Sequence, residues 1–246
     1  MYKPFFKKHI LIAHRGYRAF YPENTILAFE KSLKLFDMFE FDVQFTKDFE
    51  PVVFHDEYLH RCTNVKEIFG KNLKINEVSF DEVKKLDNVS WFIKNNPFKV
   101  KIPKEVYKMH KNSIPHLDEV LAFIKKNHAY ANLEIKAANV SYSIIKEKIL
   151  DKINKFSLKE NIIISSFHHN YLKKMKGFYK ALLFEKELAD DEYIEQFFPE
   201  SIHIEKNLAT EKNMKKLNKF VVNVYTVNKR KEYFFNLGAK GVFCDY

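Results

Sequence analysis

The sequence predicts an α/β protein, a (β/α)8 barrel of the TIM type with a small cap subdomain inserted after the third strand. Three observations point there. Short apolar runs alternate with longer amphipathic stretches, the rhythm of repeated βα units around a parallel sheet. Eight runs stand out, the stave count of such a barrel. The polar residues suited to chemistry stand at the ends of these runs, where the C-terminal face of a barrel would collect them.

The candidate strands are Ile10–Ala13, Met38–Val43, Pro51–Phe54, Tyr130–Ile135, Ile162–Ser165, Lys180–Phe184, Ser201–Ile204 and Phe220–Tyr225. Between them, helical periodicity marks Asn24–Phe36, Leu117–Lys126, Ser141–Phe156 and Lys229–Leu237, the first with Asn24 as its capping residue. A ninth run, Gly241–Cys244, is surplus to the count: either it extends the last loop or one of the eight is misassigned. Between Asp42 and Pro51 there are too few residues for a helix, so the chain is expected to return there in extended form. From Glu57 to Ser113 the βα rhythm is lost. Residues 57–113 therefore read as a cap on the face where a site would form, within a single domain spanning 1–246.

Composition narrows the classes. With 246 residues, 46% of them hydrophobic, the chain can bury about 70% of its extended surface and needs no staples. The glycines, Gly16, Gly70, Gly177, Gly238 and Gly241, build neither a G-x-G-x-x-G nor a G-x-x-x-x-G-K-[ST] cradle, so side chains or a metal must hold any phosphate. Cys62 and Cys244 are too far apart for a zinc knuckle. The net charge is +10, but the lysines are scattered. No nucleic-acid module is visible, and the charge allows at most weak contact with an anionic membrane surface. No apolar run reaches the roughly 18 residues of a membrane span, nor does Ile10–Ala13 reach signal-peptide length. A cytoplasmic protein is expected.

Strand alternation places Glu40 with Asp42 on one face and Glu134 with Lys136 on another. If those faces line the barrel, three carboxylates converge and cannot all ionise without a cation. All-oxygen ligation favours one divalent cation, Mg²⁺ or Ca²⁺, with Mn²⁺ left open. His14 and His55, each ending a run, suit proton transfer near neutral pH. Arg15 and Lys136 suit phosphate oxygens. Asp56 and the Glu23-Asn24 pair read as residues that orient His55 and the first loop. Phe167 and Tyr225 follow strands and suit the non-phosphate part of a small-molecule substrate. His203, in an apolar run, is a weaker candidate for the site, and Asp245 lies near enough the last run to approach its mouth. Trp91 and Phe92 fit either the core of the cap or a wall over a head group.

Taken in order, His14-Arg15-Gly16, Pro22-Glu23-Asn24-Thr25, Glu40-Phe41-Asp42-Val43, Thr46-Lys47-Asp48, His55-Asp56, Leu59, Arg61 and Thr63 resemble the glycerophosphodiester phosphodiesterase family. Asn132-Leu133-Glu134-Ile135-Lys136, Ser165-Ser166-Phe167 and Val224-Tyr225-Thr226-Val227-Asn228 extend the resemblance over nearly the whole chain. It implies a capped barrel, metal ligation by Glu40, Asp42 and Glu134, catalysis by His14 and His55, and phosphate contacts from Arg15 and Lys136. The implied reaction is hydrolysis of a glycerophosphodiester, such as glycerophosphocholine or glycerophosphoethanolamine, to glycerol 3-phosphate and an alcohol. Two alternatives stay open, a lysophospholipase D and a non-catalytic regulatory protein of the same fold. Family members commonly carry Gly at the turn where Phe49 stands, Gly-Ala near Leu35-Phe36, Trp in place of Tyr225 and Thr in place of Cys244.

Overall fold

The computed structural model describes residues 5, 7, 9–136 and 140–246. Nine strands form one sheet: β1 (Ile10–Ala13), β2 (Met38–Phe45), β3 (Pro51–Val53), β4 (Ala131–Ile135), β5 (Ile162–Ser166), β6 (Tyr179–Phe184), β7 (Ser201–Glu205), β8 (Val222–Tyr225) and β9 (Gly241–Cys244). The order is β1-β9-β8-β7-β6-β5-β4-β2-β3, and a parallel β1–β2 pairing closes a ring of eight parallel strands. This is the expected barrel with one reassignment. Gly241–Cys244, counted as surplus, is a stave, pairing with β1 from Ile10↔Gly241 to Ala13↔Cys244. Pro51–Phe54 is not: its residues 51–53 turn back antiparallel on β2, Val43 opposite Val53, and stand outside the ring. The short Asp42–Pro51 spacing allows only this return, because a parallel neighbour would need a crossover.

Every residue of β2 is buried. Alternation sends Phe39, Phe41 and Val43 outward into the main core, where they join Leu117, Leu121 and Ile124 from the helix Leu117–Asn127, while Glu40, Asp42 and Gln44 take the opposite, inner face. Phe29, from the helix Ile26–Ser32, stacks on Phe39 with ring centroids 4.6 Å apart. That helix is capped by Thr25, whose hydroxyl accepts from the Ala28 N–H, and not by Asn24. Asn24 has φ 57° and is turned to the barrel interior. The helical stretch from Ser141 runs as one piece over Tyr142–Lys155, with a π-helical turn at Lys146–Leu150.

The segment 57–113 makes short helical turns around two small apolar clusters. One joins Leu59, Val65, Ile75, Val83 and Leu86 to Val52 and Phe54. The other joins Val89, Phe92 and Val106 to Tyr21 and Ala28. Phe92 is thus core, and Trp91 lies partly buried beside both clusters. His203 belongs to the barrel interior and not to the site: its Nε2 accepts from Ser201 Oγ at 3.0 Å and Asn223 Nδ2 at 3.1 Å, and burial pushes its pKa down to about 3. Phe49 sits at φ 58°, the left-handed conformation that explains why Gly suits this turn.

Gly241 sits on the closing seam, where an added Cβ would press on Ile10 and lie 2.6 Å from Asn223 Oδ1. Gly241→Ala is expected to destabilise the fold by about 1–3 kcal/mol through overpacking. Urea unfolding should show a lower midpoint at unchanged slope. An unchanged midpoint would contradict the close approach of β9 to β1.

Candidate active site

Strand register assembles the site. Asp42 pairs directly with Glu134 across β2 and β4, and Glu40 lies one pleat below Asp42 on the same face. On the other flank, Ala13 pairs with Phe39, which carries the His14-Arg15 turn beside Glu40. Arg15 adopts φ 54° and Gly16 φ 78°; a Cβ at Gly16 would lie 2.8 Å from the Ala28 Cβ, so the turn requires glycine. The strained turn aims the Arg15 N–H at Glu40 Oε2, 2.7 Å away.

One carboxylate oxygen from each of Glu40, Asp42 and Glu134 lies within 4.8 Å of the others, and all three residues are buried. Lys136 Nζ stands 2.6 Å from Glu134 Oε1 and 3.5 Å from Asp42 Oδ1. Arg15 Nε is 3.5 Å from Asp42 Oδ2, which also accepts from Asn24 Nδ2 at 2.9 Å. These neighbours divide the three acids. Burial opposes ionisation of Asp42, but His55, Lys136, Arg15 and the Asn24 hydrogen bond hold its carboxyl well below the usual range. Burial raises the Glu40 pKa well above the usual value, and the adjacent charges of Asp42 and Glu134 raise it further. Burial likewise raises that of Glu134, with Lys136 opposing.

Glu40 Oε1 is buried and has no hydrogen-bond partner among the described residues. An orphaned oxygen inside a ring of acids is what a hard cation would satisfy, so Glu40, Asp42 and Glu134 fit a divalent metal ion.

Both histidines are held by carboxylates. His14 Nδ1 is 2.9 Å from Asp245 Oδ1, and Asp245 is itself fixed by Asn228, which donates from Nδ2 at 2.7 Å and accepts the Asp245 N–H at 2.8 Å. Burial and the charge of Arg15 lower the His14 pKa to about 4, against the pull of Asp245. His55 Nδ1 is 2.5 Å from Asp56 Oδ1. In each pair the carboxylate can accept from the Nδ1–H, which leaves Nε2 for chemistry.

Arg15 Nη1 donates to Glu23 Oε1 at 3.0 Å, so Glu23 orients the guanidinium as Asn24 orients Asp42. Phe167 and Tyr225 meet edge to face at 6.3 Å, with Lys136 Nζ 5.6 Å from the Phe167 ring centroid. Tyr225 Oη donates to the Phe184 carbonyl, leaving the ring as its contact surface. The structure therefore gathers Arg15, Glu40, Asp42, Glu134 and Lys136 in one cluster, sets His55 against it through Asp42, places His14 in the Arg15 turn, and brings Phe167 and Tyr225 together beside Lys136.

Sequence reasoning left Asp245 uncommitted and passed over Arg18, whose Nε lies 3.4 Å from Asp245 Oδ1. The signal for Asp245 was present in the ninth run: once Gly241–Cys244 is a stave beside β1, the residue after Cys244 must stand beside the residue after Ala13.

A parallel barrel whose C-terminal face joins a carboxylate trio, two phosphate-suited cations and two carboxylate-held imidazoles defines a phosphoester-cleaving enzyme. The sequence model described as Glycerophosphoryl diester phosphodiesterase family matches residues 14–246, and the chain belongs to that family. It is 30% identical over 253 residues to a glycerophosphodiester phosphodiesterase of Bacillus altitudinis, covering 96% of this chain and 94% of the relative. It is 37% identical over 170 residues to one from Caldanaerobacter subterraneus subsp. tengcongensis, covering 69% and 62%. Among solved structures, the Thermotoga maritima glycerophosphodiester phosphodiesterase superposes with TM-score 0.70 at 27% identity, covering 96% of this chain and 94% of that one. An Oleispira antarctica phosphodiesterase in complex with the product sn-glycerol-3-phosphate superposes with TM-score 0.76 at 23% identity, covering 97% and 94%.

Asp245→Asn keeps the shape but removes the negative charge and one of the two acceptor oxygens, so it cannot accept from both His14 and Asn228. We expect phosphodiester turnover to fall at least about 10-fold with the urea midpoint nearly unchanged. Wild-type turnover in this variant would separate Asp245 from the work of His14.

Proposed function

We propose that the protein hydrolyses glycerophosphodiesters, such as glycerophosphocholine or glycerophosphoethanolamine, to glycerol 3-phosphate and an alcohol, with a divalent cation held by Glu40, Asp42 and Glu134. The carrying observation is the orphaned Glu40 oxygen within a buried trio of acids that Arg15 and Lys136 flank. Bound there, Mg²⁺, Ca²⁺ or Mn²⁺ would supply Lewis-acid charge to the phosphoryl oxygens.

The chain's own groups account for the remaining steps. Arg15 and Lys136 bind non-bridging oxygens and offset charge as it gathers on phosphorus. His14, kept neutral near pH 7 by burial, takes the proton of the glycerol 2-hydroxyl at Nε2, and Asp245 steadies the imidazolium. The 2-oxygen bonds to phosphorus as the bond to the departing alcohol breaks, an internal attack favoured by high effective concentration. His55, oriented by Asp56, gives its Nε2 proton to the leaving oxygen. The resulting cyclic 1,2-phosphate is opened by water with the two roles reversed, which yields glycerol 3-phosphate. Phe167 and Tyr225 would meet the leaving alcohol beside Lys136. The segment 57–113 is read as a cap over this face.

Purified protein should release glycerol 3-phosphate from a panel of water-soluble and lysolipid diesters. Excess chelator should abolish that turnover reversibly, and Glu134→Gln should lower it at least about 10²-fold with the fold intact. Full activity in excess chelator would refute the metal assignment, and absence of turnover across the panel would refute the hydrolase reading. A 2-deoxy analogue of glycerophosphocholine should react very slowly while a cyclic 1,2-phosphate is consumed. Normal turnover of the 2-deoxy compound would replace internal attack with direct hydrolysis by water.

A further inference from the structure

Arg61 lies outside the carboxylate cluster, in the segment 57–113, yet its guanidinium is bonded to two of the acids that orient the site. Its Nη2 donates to Glu23 Oε1 at 2.6 Å and its Nη1 to Glu23 Oε2 at 3.2 Å, a fork on one carboxylate. On its other edge Nε donates to Asp56 Oδ2 and Nη2 to Asp56 Oδ1 at 3.0 Å, a second fork. Each of those acids has one further partner in the machinery. Glu23 Oε1 takes Arg15 Nη1 at 3.0 Å, and Asp56 Oδ1 holds His55 Nδ1 at 2.5 Å. One planar cation thus joins the phosphate-binding arginine to the imidazole proposed as acid.

The chain holds Arg61 in this place from several sides. Leu59, fully buried, anchors the 3-10 turn Leu59–Arg61, its N–H donating to the Leu73 carbonyl and its carbonyl accepting from Thr63 Oγ1 at 2.7 Å. The Trp91 ring lies 5.8 Å from Arg61 Cζ, a cation–π distance. An isolated surface ion pair would contribute about 0–1 kcal/mol to stability and little else. Arg61 differs because Glu23 is only 8% exposed and both acceptors pass the constraint on to groups that touch substrate. Only a guanidinium has the donors to fork two carboxylates at once.

We propose that Arg61 is a positioning residue for the reaction above, locking Asp56 on His55 and Glu23 on Arg15, so that the segment 57–113 completes the catalytic geometry as well as covering the barrel. The proposal rests on the phosphodiesterase reading and deepens it. Among the described residues, Arg61 bonds to Glu23 and Asp56 and to none of Glu40, Asp42 and Glu134. Its removal loosens two orienting contacts together and leaves the carboxylate trio intact.

The test is a kinetic comparison of full-length wild type, Arg61→Gln, Arg61→Lys, Asp56→Asn and the Arg61→Gln/Asp56→Asn double variant on glycerophosphocholine with saturating Mg²⁺. Arg61→Gln should lower kcat/KM about 10- to 100-fold, with KM raised through Arg15 and kcat lowered through His55. In kcat the double variant should lose no more than about 3-fold beyond the worse single variant, because both substitutions break the same Asp56–His55 link, while its KM should rise as in Arg61→Gln because the Glu23–Arg15 link is loosened separately. Arg61→Lys keeps the charge, and with it a folded protein should Gln disrupt the segment. It should still lose about 10-fold, since an ammonium cannot form both forks. Arg61→Gln or Arg61→Lys within about 2-fold of wild type would overturn the proposal, as would losses in kcat from Arg61→Gln and Asp56→Asn that multiply. Inactivity of wild type itself would overturn the phosphodiesterase reading and this proposal with it.

Discussion

The structure is organised by the confinement of three carboxylates, Glu40, Asp42 and Glu134, in one buried space at the inner wall of a parallel barrel. Like charges this close resist joint ionisation, and burial strengthens that resistance. The chain answers in two ways. Asp42 is kept charged by Arg15, Lys136 and Asn24, while Glu40 is left with an oxygen that no group among the described residues satisfies. A divalent cation held there would resolve the remaining conflict and would supply charge suited to phosphoester cleavage. The left-handed turn at Arg15-Gly16, the reversal of Asn24 and the placing of Lys136 two residues beyond Glu134 all serve this one cluster.

Around it the same device recurs. Each group proposed to act on the phosphate is fixed by an acid, and the acid is fixed by something outside the barrel wall. Asp245 holds His14 and is held by Asn228; Asp56 holds His55 and Glu23 holds Arg15, with Arg61 bonded to both. Preorganised partners of this kind reduce the reorganisation required at the moment of reaction. The barrel supplies strand ends at fixed spacing, and the loops supply the second partners.

Much of this was legible in the sequence, because period-two alternation and strand ends are local signals. Glu40 with Asp42, Glu134 with Lys136, and the His14-Arg15 and His55-Asp56 pairs needed only their places on strands. What sequence could not give was closure. Pro51–Phe54 has the composition of a stave, and only its short tether to β2 betrays it as an antiparallel return. The four-residue run at Gly241–Cys244 looks expendable until it pairs with β1 from the far end of the chain. That long-range pairing alone brings Asp245 to His14. Asn24 misled for a related reason: its side chain suits a helix cap, but adjacent Thr25 fills that role, freeing Asn24 for Asp42. Arg61 was visible within the motif run, yet its two forks depend on how residues 57–113 fold back against Glu23.

The central claim is that the acid cluster is electrostatically incomplete without a cation. Thermal unfolding of wild type and Glu40→Gln across a titration of Mg²⁺, Ca²⁺ and Mn²⁺ tests it without reference to turnover. Wild type should gain stability with rising concentration of at least one of the three, by about 2.7 kcal/mol at a hundredfold excess over Kd. Glu40→Gln should lose that response and, in chelator, unfold at or above the wild-type temperature, because a repulsive charge has been removed. A wild type insensitive to all three ions, together with a Glu40→Gln variant less stable than wild type in chelator, would contradict the account.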